Sequence, residues 1–349
     1  MTPGDVVNDE ASEPLLTSIE SIPASEAVPD ESWTKVCCFG VMVLVSMSYQ
    51  FSEAPLLQLY ANAICKEFQN PVTFPNIFSE DSHCDTDAIP VQKKLASVTS
   101  KQVNFDTALA IIASVYMPSL LRKWGIRRML QLNLLFHVLG QLWIYLVLGT
   151  QLFPVELTWA SSLTLAVASG PYMRMEMLFM VLALVALEDE RFSTFTLGQM
   201  VVLVPDFLAK GISASLMDRC IWYPLFLGLL CSTVAVVALF WHMPIEPVEP
   251  QPNEIHPKST SILEQFMVTL KLFFFTPTNF FLILTFSFTN VFGQLMSGST
   301  LLQVLTRKFG MSLKYASVLQ SLSNLVNLPP LAVMYYFPKH WDTLNLKAG

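Results

Sequence analysis

Eight runs of 17 to 31 predominantly apolar residues recur along this 349-residue chain, at 36–64, 105–121, 129–151, 157–187, 193–216, 221–243, 272–296 and 311–337. A helix crosses a bilayer with about 20 such residues, each adding about 1.5 Å. The expected fold is therefore an all-α membrane protein. Composition agrees, with 53% hydrophobic and only 13% charged residues, where a soluble domain carries roughly 25% charged. Six of the seven tryptophans, at 33, 124, 159, 222, 241 and 341, fall at or near expected span ends, where amphipathic rings favour the headgroup layer.

Charge placement narrows the function classes. The net charge of −7 is concentrated in residues 1–31, which hold eight acids and no Lys or Arg. The remainder carries nineteen acids against twenty bases and has no basic stripe to neutralise phosphates, so nucleic acid is not an expected partner. No GxSxG, Walker A, GxGxxG, CxxC or HExxH motif occurs. No enzymatic activity, cofactor or metal is expected.

Between the runs lie three polar stretches. Residues 1–35 form an acidic tail expected to be disordered. Residues 65–104 separate the first two spans, and the Pro- and Glu-rich stretch 244–270 separates six spans from two. Placing the cluster Arg122, Lys123, Arg127 and Arg128 in the cytoplasm puts both termini, including 338–349, and the 244–270 linker there too. Loop 65–104 is then external.

Several local strings resemble the major facilitator superfamily, whose usual plan is two six-span halves. MPSLLRKWGIRRML (117–130) is similar to that family's signature between spans two and three, with Gly125, Arg127 and Arg128 matching. Pro118 and Arg122 depart from it. APLLQLYANAIC (54–65), CDTDAIPVQ (84–92), FDTAL (105–109), ALEDERFSTF (186–195) and LTRKFGMSL (305–313) resemble strings of a fungal branch related to proton-coupled folate-type carriers. Gln58 and Ala61 depart from that branch. The resemblance implies a major-facilitator-type helical bundle, with a complete six-span N-terminal half at 36–243 and two spans of an incomplete C-terminal half at 271–337. A full carrier of this plan has about four more spans, so the chain reads as truncated or as a shortened form. The resemblance also implies a disulfide between Cys65 and Cys84, closing a loop at a gain of about 3 kcal/mol; free thiols are the alternative.

Charges at bilayer depth cost about 2.5 kcal/mol or more each, which makes them candidates for a substrate or proton pathway. Glu53 lies two residues before Pro55 in the first span. Arg174 and Glu176 lie in the fourth span and project about 200° apart, so one of them is expected to face the interior. Asp206 and Lys210, spaced i, i+4 with the acid first, suit an intrahelical ion pair; the alternative is a cavity acid at Asp206 tuned by Lys210. Asp106 is expected to cap the first turn of the second span; the alternative is that Asp106, like Glu53, is a buried acid that binds and releases protons. The function implied is secondary active transport of a small organic solute across the bilayer, proton-linked, with efflux of a fungal secondary metabolite placed first. Nutrient uptake and a truncated, non-transporting membrane protein are the alternatives. The plasma membrane is the expected location and the vacuolar membrane the alternative.

Overall fold

A computed structural model describes residues 31–69, 88–168, 170–242, scattered positions from 267 to 288, 299–326 and 328–336. The expected acidic tail up to residue 30, most of the 244–270 linker, Cys84, most of the seventh span and the 338–349 tail lie outside the described residues. The described residues are predominantly helical, with no β-strand among them, as the all-α reading requires.

The first helix, α1, spans Glu31–Gln69. It starts five residues earlier than the tail boundary expected from composition. The second, α2, spans Ile89–Thr150 but is interrupted at Gly125, where φ is 77° and ψ is 157°. This divides it into two arms, which correspond to the second and third expected spans. A 3-10 turn at Val155–Ala160 leads into α3, Ser161–Ala168, and then α4, Gly170–Val185. Helix α5 spans Arg191–Met217 and α6 spans Trp222–His242. Two shorter helices, α7 at Ser299–Phe309 and α8 at Leu313–Leu325, complete the labelled elements. By length and composition, four described stretches suffice to cross a membrane: Ser32–Phe68, Lys123–Thr150, Arg191–Met217 and Trp222–Trp241. They match the first, third, fifth and sixth expected spans.

The expected loop 65–104 is largely helical at both described ends, which corrects the sequence reading. Pro90 sits at the start of α2, where a missing amide proton costs nothing. Val91, Leu95 and Val98 follow at spacings of four and three and are all buried. That stripe is the signature of an amphipathic helix. Gln92, Lys93, Lys94 and Ser97, which lie between its members, give the segment the look of a loop. Lys94 ties this arm to the end of α1, reaching Glu67 at 2.7 Å and Glu156 at 3.4 Å. Burial opposes its charge, but the hydrogen bond and attraction of Glu67, followed by those of Glu156, outweigh burial and hold its pKa above the ordinary lysine value.

Helix α1 is the axis of the bundle. Its N-terminal part (Cys38, Val41, Met42, Val45) packs with Met129, Leu130 and Leu134 of α2, Met177 to Leu182 of α4, and Ala235 and Leu239 of α6. Its C-terminal part (Ala54 to Cys65) packs with Val91, Leu95, Tyr145 and Leu148 of α2, Leu225 of α6 and residues of α7 and α8. Between these two apolar layers α1 carries Ser46, Ser48, Gln50, Ser52 and Glu53. The fold thus buries a polar belt midway along its central helix.

Gly125 shows why one residue of the loop signature has its identity. Its φ and ψ lie where side-chain-bearing residues are strained, although a Cβ there would meet nothing within 4 Å. Gly125→Ala is therefore expected to cost about 1–2 kcal/mol through the backbone alone, read as a lowered thermal midpoint of the purified protein. An unchanged midpoint would show that the arms can meet at another angle.

Candidate functional site

The polar belt gathers three of the sequence candidates. Lys210 Nζ of α5 lies 3.1 Å from Glu53 Oε2 of α1, with the two side chains only 3% and 8% exposed. Asp206, one turn before Lys210, accepts a hydrogen bond from Ser46 Oγ of α1, and Gln50 is a second polar neighbour. The ion pair expected within α5, Asp206 with Lys210, is therefore replaced by one between helices. The physical reason is competition: α1 supplies Asp206 with polar partners, and Lys210 turns to Glu53 while remaining within electrostatic reach of Asp206.

Two prolines shape the belt. Pro55 lies inside α1 and Pro205 inside α5. Pro55 has no amide proton, so the carbonyl of Phe51, four residues earlier, loses its helical donor. Ser213 Oγ of α5 supplies the replacement, donating to Phe51 O at 3.0 Å. The break in one helix is thus satisfied by the other, which fixes the register of Glu53 against Lys210.

A second set of groups joins α1, α2 and α6. Gln141 Nε2 donates to Ser48 Oγ at 3.2 Å, and Ser232 Oγ donates to Gln141 Oε1 at 3.0 Å. Tyr145 OH shares a 3.1 Å hydrogen bond with Ser52 Oγ and donates to Leu225 O at 3.3 Å. Reasoning from charge alone passed over these residues. A signal was available in the string SMSYQFSE (46–53), where uncharged polar groups crowd the middle of an apolar run.

Arg174 and Glu176 are not part of the belt. Arg174 is 3% exposed and its Nε donates to Asn133 Oδ1 at 2.7 Å. Among the described residues no carboxylate lies within ion-pairing distance of it. Its charge acts on His137, which lies nearby with its buried Nε2 unpartnered. Glu176 is exposed. Of the two, Arg174 is the one turned inward.

The loop-signature residues sit at one end of the bundle. Arg127 Nη2 donates to Phe240 O at 3.3 Å and Gln131 Nε2 to Leu239 O at 3.5 Å. Both address carbonyls in the last turn of α6, where a cation suits the helix dipole. Arg128 is exposed. At the other end Cys65 is disulfide-bonded.

Asp106 requires a correction. It was expected at a helix start, yet α2 begins at Ile89, far upstream. It lies in a helix interior, where no free amides await a cap.

Two curated fungal proteins are similar to this chain. One, the MFS efflux pump atnC of Emericella nidulans, is 30% identical over 206 residues, covering 58% of this chain and 40% of the relative. The other, the MFS transporter SAT21 of Stachybotrys chartarum, is 29% identical over 133 residues, covering 38% of this chain and 27% of the relative. The chain thus spans less than half the length of either relative. No family model and no solved structure matches it.

Proposed function

We propose that this chain works in a proton-linked carrier of the major facilitator type that exports a small organic solute, a fungal secondary metabolite, across the plasma membrane. Similarity to a fungal efflux pump supports the direction. One observation carries the coupling: two carboxylates and one ammonium, Glu53, Asp206 and Lys210, are buried together midway along the central helix of the bundle.

The chemistry follows from the count. With all three groups ionised, the cluster holds one net negative charge in a setting where uncompensated charge costs several kcal/mol. Taking up one proton makes it neutral. Lys210 lies within reach of both acids, so protonation of one carboxylate leaves the ammonium to the other. A cluster with two such pairings on two helices can link proton occupancy to the separation of α1 from α5. Pro55 and Pro205 each remove a helical hydrogen bond beside the cluster and so lower the cost of that movement. Arg174, buried with no acid in ion-pairing distance among the described residues, is assigned by the same reading to the solute pathway, with exposed Glu176 at its margin. Cys84 is assigned as the partner of Cys65, pinning the external loop.

The test is export from cells carrying Glu53→Gln or Asp206→Asn, with the excreted metabolites profiled against wild type and empty vector. Each substitution keeps the shape of the side chain and removes its proton chemistry. Export is expected to fall to the empty-vector background at equal membrane abundance, and wild-type export to collapse with a protonophore. Undiminished export by both variants would sink proton coupling at this cluster. Loss of solute from the medium in the wild type alone would reverse the assigned direction.

A further inference from the structure

Asp106 sits in a second, partly buried polar site, away from the Glu53–Lys210 cluster. Its Oδ1 is buried and makes no hydrogen bond, and neither does the buried Ser162 Oγ at the start of α3, although the two side chains adjoin closely enough for one to form between them. One turn earlier on α2, Gln102 belongs to a bonded network. Gln102 Oε1 accepts from Tyr60 OH of α1 at 3.3 Å and from Thr158 Oγ1 at 3.4 Å, while Gln102 Nε2 donates to Ser161 Oγ at 3.1 Å. Among these described groups, Asp106 Oδ1 and Ser162 Oγ are the two without a partner, and they adjoin each other.

The titratable and charged groups facing this site can be named. Tyr60 faces it from α1. Glu156, in the 3-10 turn, is engaged by Lys94. Lys101, on the same helix, lies over the Trp159 ring, 5.8 Å from its centroid. Among the described residues no Lys, Arg or His lies within ion-pairing distance of Asp106. An ionised carboxylate only accepts hydrogen bonds, whereas a protonated one donates once. A bare carboxylate with an unpartnered oxygen is the costliest state for this site.

We infer that Asp106 is a proton-binding residue, distinct from the Glu53–Asp206–Lys210 cluster, which holds its proton against Ser162. The step is simple: one proton from water binds one carboxylate oxygen, and the new O–H donates to Ser162 Oγ. No oxidant, metal or further reactant takes part. The network from Ser161 through Gln102 to Tyr60 lies beside this site and ties α2 and the start of α3 to α1. The inference does not rest on the proposed transport activity.

Infrared difference spectroscopy of the full chain in lipid nanodiscs, titrated with pH in choline chloride, tests it. Wild type is expected to show a carbonyl stretching band of a buried, protonated carboxyl. Asp106→Asn should lose that band, and Ser162→Ala should shift it to higher frequency by removing the acceptor of its O–H. Asp206→Asn and Glu53→Gln should leave it in place. If Asp106→Asn does not fold, the Ser162→Ala shift decides. Survival of the band in Asp106→Asn, or no shift in Ser162→Ala, overturns the assignment. Loss of the band when sodium replaces choline at fixed pH also overturns it, in favour of a sodium site.

Discussion

Replacing Lys210 with methionine is expected to cost about 3–5 kcal/mol of stability and to abolish export together. The stability term follows from burial. Lys210 and Glu53 are 3% and 8% exposed and 3.1 Å apart, and removing one member of such a pair leaves the other charge uncompensated in the interior. Methionine keeps the length and most of the volume of the lysine stem, so the loss reports the charge and not a cavity. The double variant Glu53→Gln/Lys210→Met separates the two effects. It removes both charges, so its thermal midpoint and membrane abundance should return most of the way to wild type. Export should stay at background, because Glu53, one of the two proton-binding acids, and the ammonium they share are both gone. A single variant that melts at the wild-type temperature would show that the pair contributes nothing to the fold. A double variant that exports normally would remove Glu53 and Lys210 from the mechanism.

The charges of this site were legible in the sequence, and their pairing was not. Glu53, Asp206 and Lys210 stood out because a charge inside an apolar run has to be explained. The i, i+4 rule then favoured Asp206 with Lys210, because that rule sees one helix at a time. It could not know that Ser46 and Gln50 of α1 would meet Asp206, or that Glu53 would lie opposite Lys210. Asp106 failed for a related reason. Its helix starts at Ile89, and the apolar stripe Val91, Leu95 and Val98 that builds this start is interleaved with Gln92, Lys93, Lys94 and Ser97. Composition hid a periodicity that position would have revealed. The broad architecture was easier, since uninterrupted apolar length is a local property that needs no knowledge of neighbours. The bonded set Ser48, Gln141 and Ser232 lay at the other extreme. Each is unremarkable alone in a membrane helix, and only the packing of α1, α2 and α6 brings them together.

That packing turns on one residue, which sets the second large effect. Gly228 of α6 faces α1 so closely that a Cβ would lie 2.7 Å from Ser52 Oγ, 2.9 Å from Ser48 O and 3.4 Å from Phe51 Cβ. Ser52 Oγ could rotate away, but Ser48 O is main chain within a helix and cannot move without α1. Gly228→Val is therefore expected to drive α6 from α1 and to cost about 3 kcal/mol, the upper end of the range for overpacking. The damage should extend to the polar belt. Ser232 and Leu225 ride on α6, so a displacement of that helix disturbs their bonds to Gln141 and Tyr145 of α2, leaving buried polar atoms unpaired. Gly211→Ala, in α5, is the control: a Cβ there meets nothing within 4 Å, so the better helix former should be neutral or slightly stabilising. Gly228→Val/Ser52→Ala tests the cause, since it removes the yielding contact and keeps the rigid one. It should rescue little of the lost midpoint in a detergent melt. Full rescue would place the clash on the serine side chain, and an unchanged midpoint in Gly228→Val alone would mean that α1 and α6 do not cross as closely as the glycine allows.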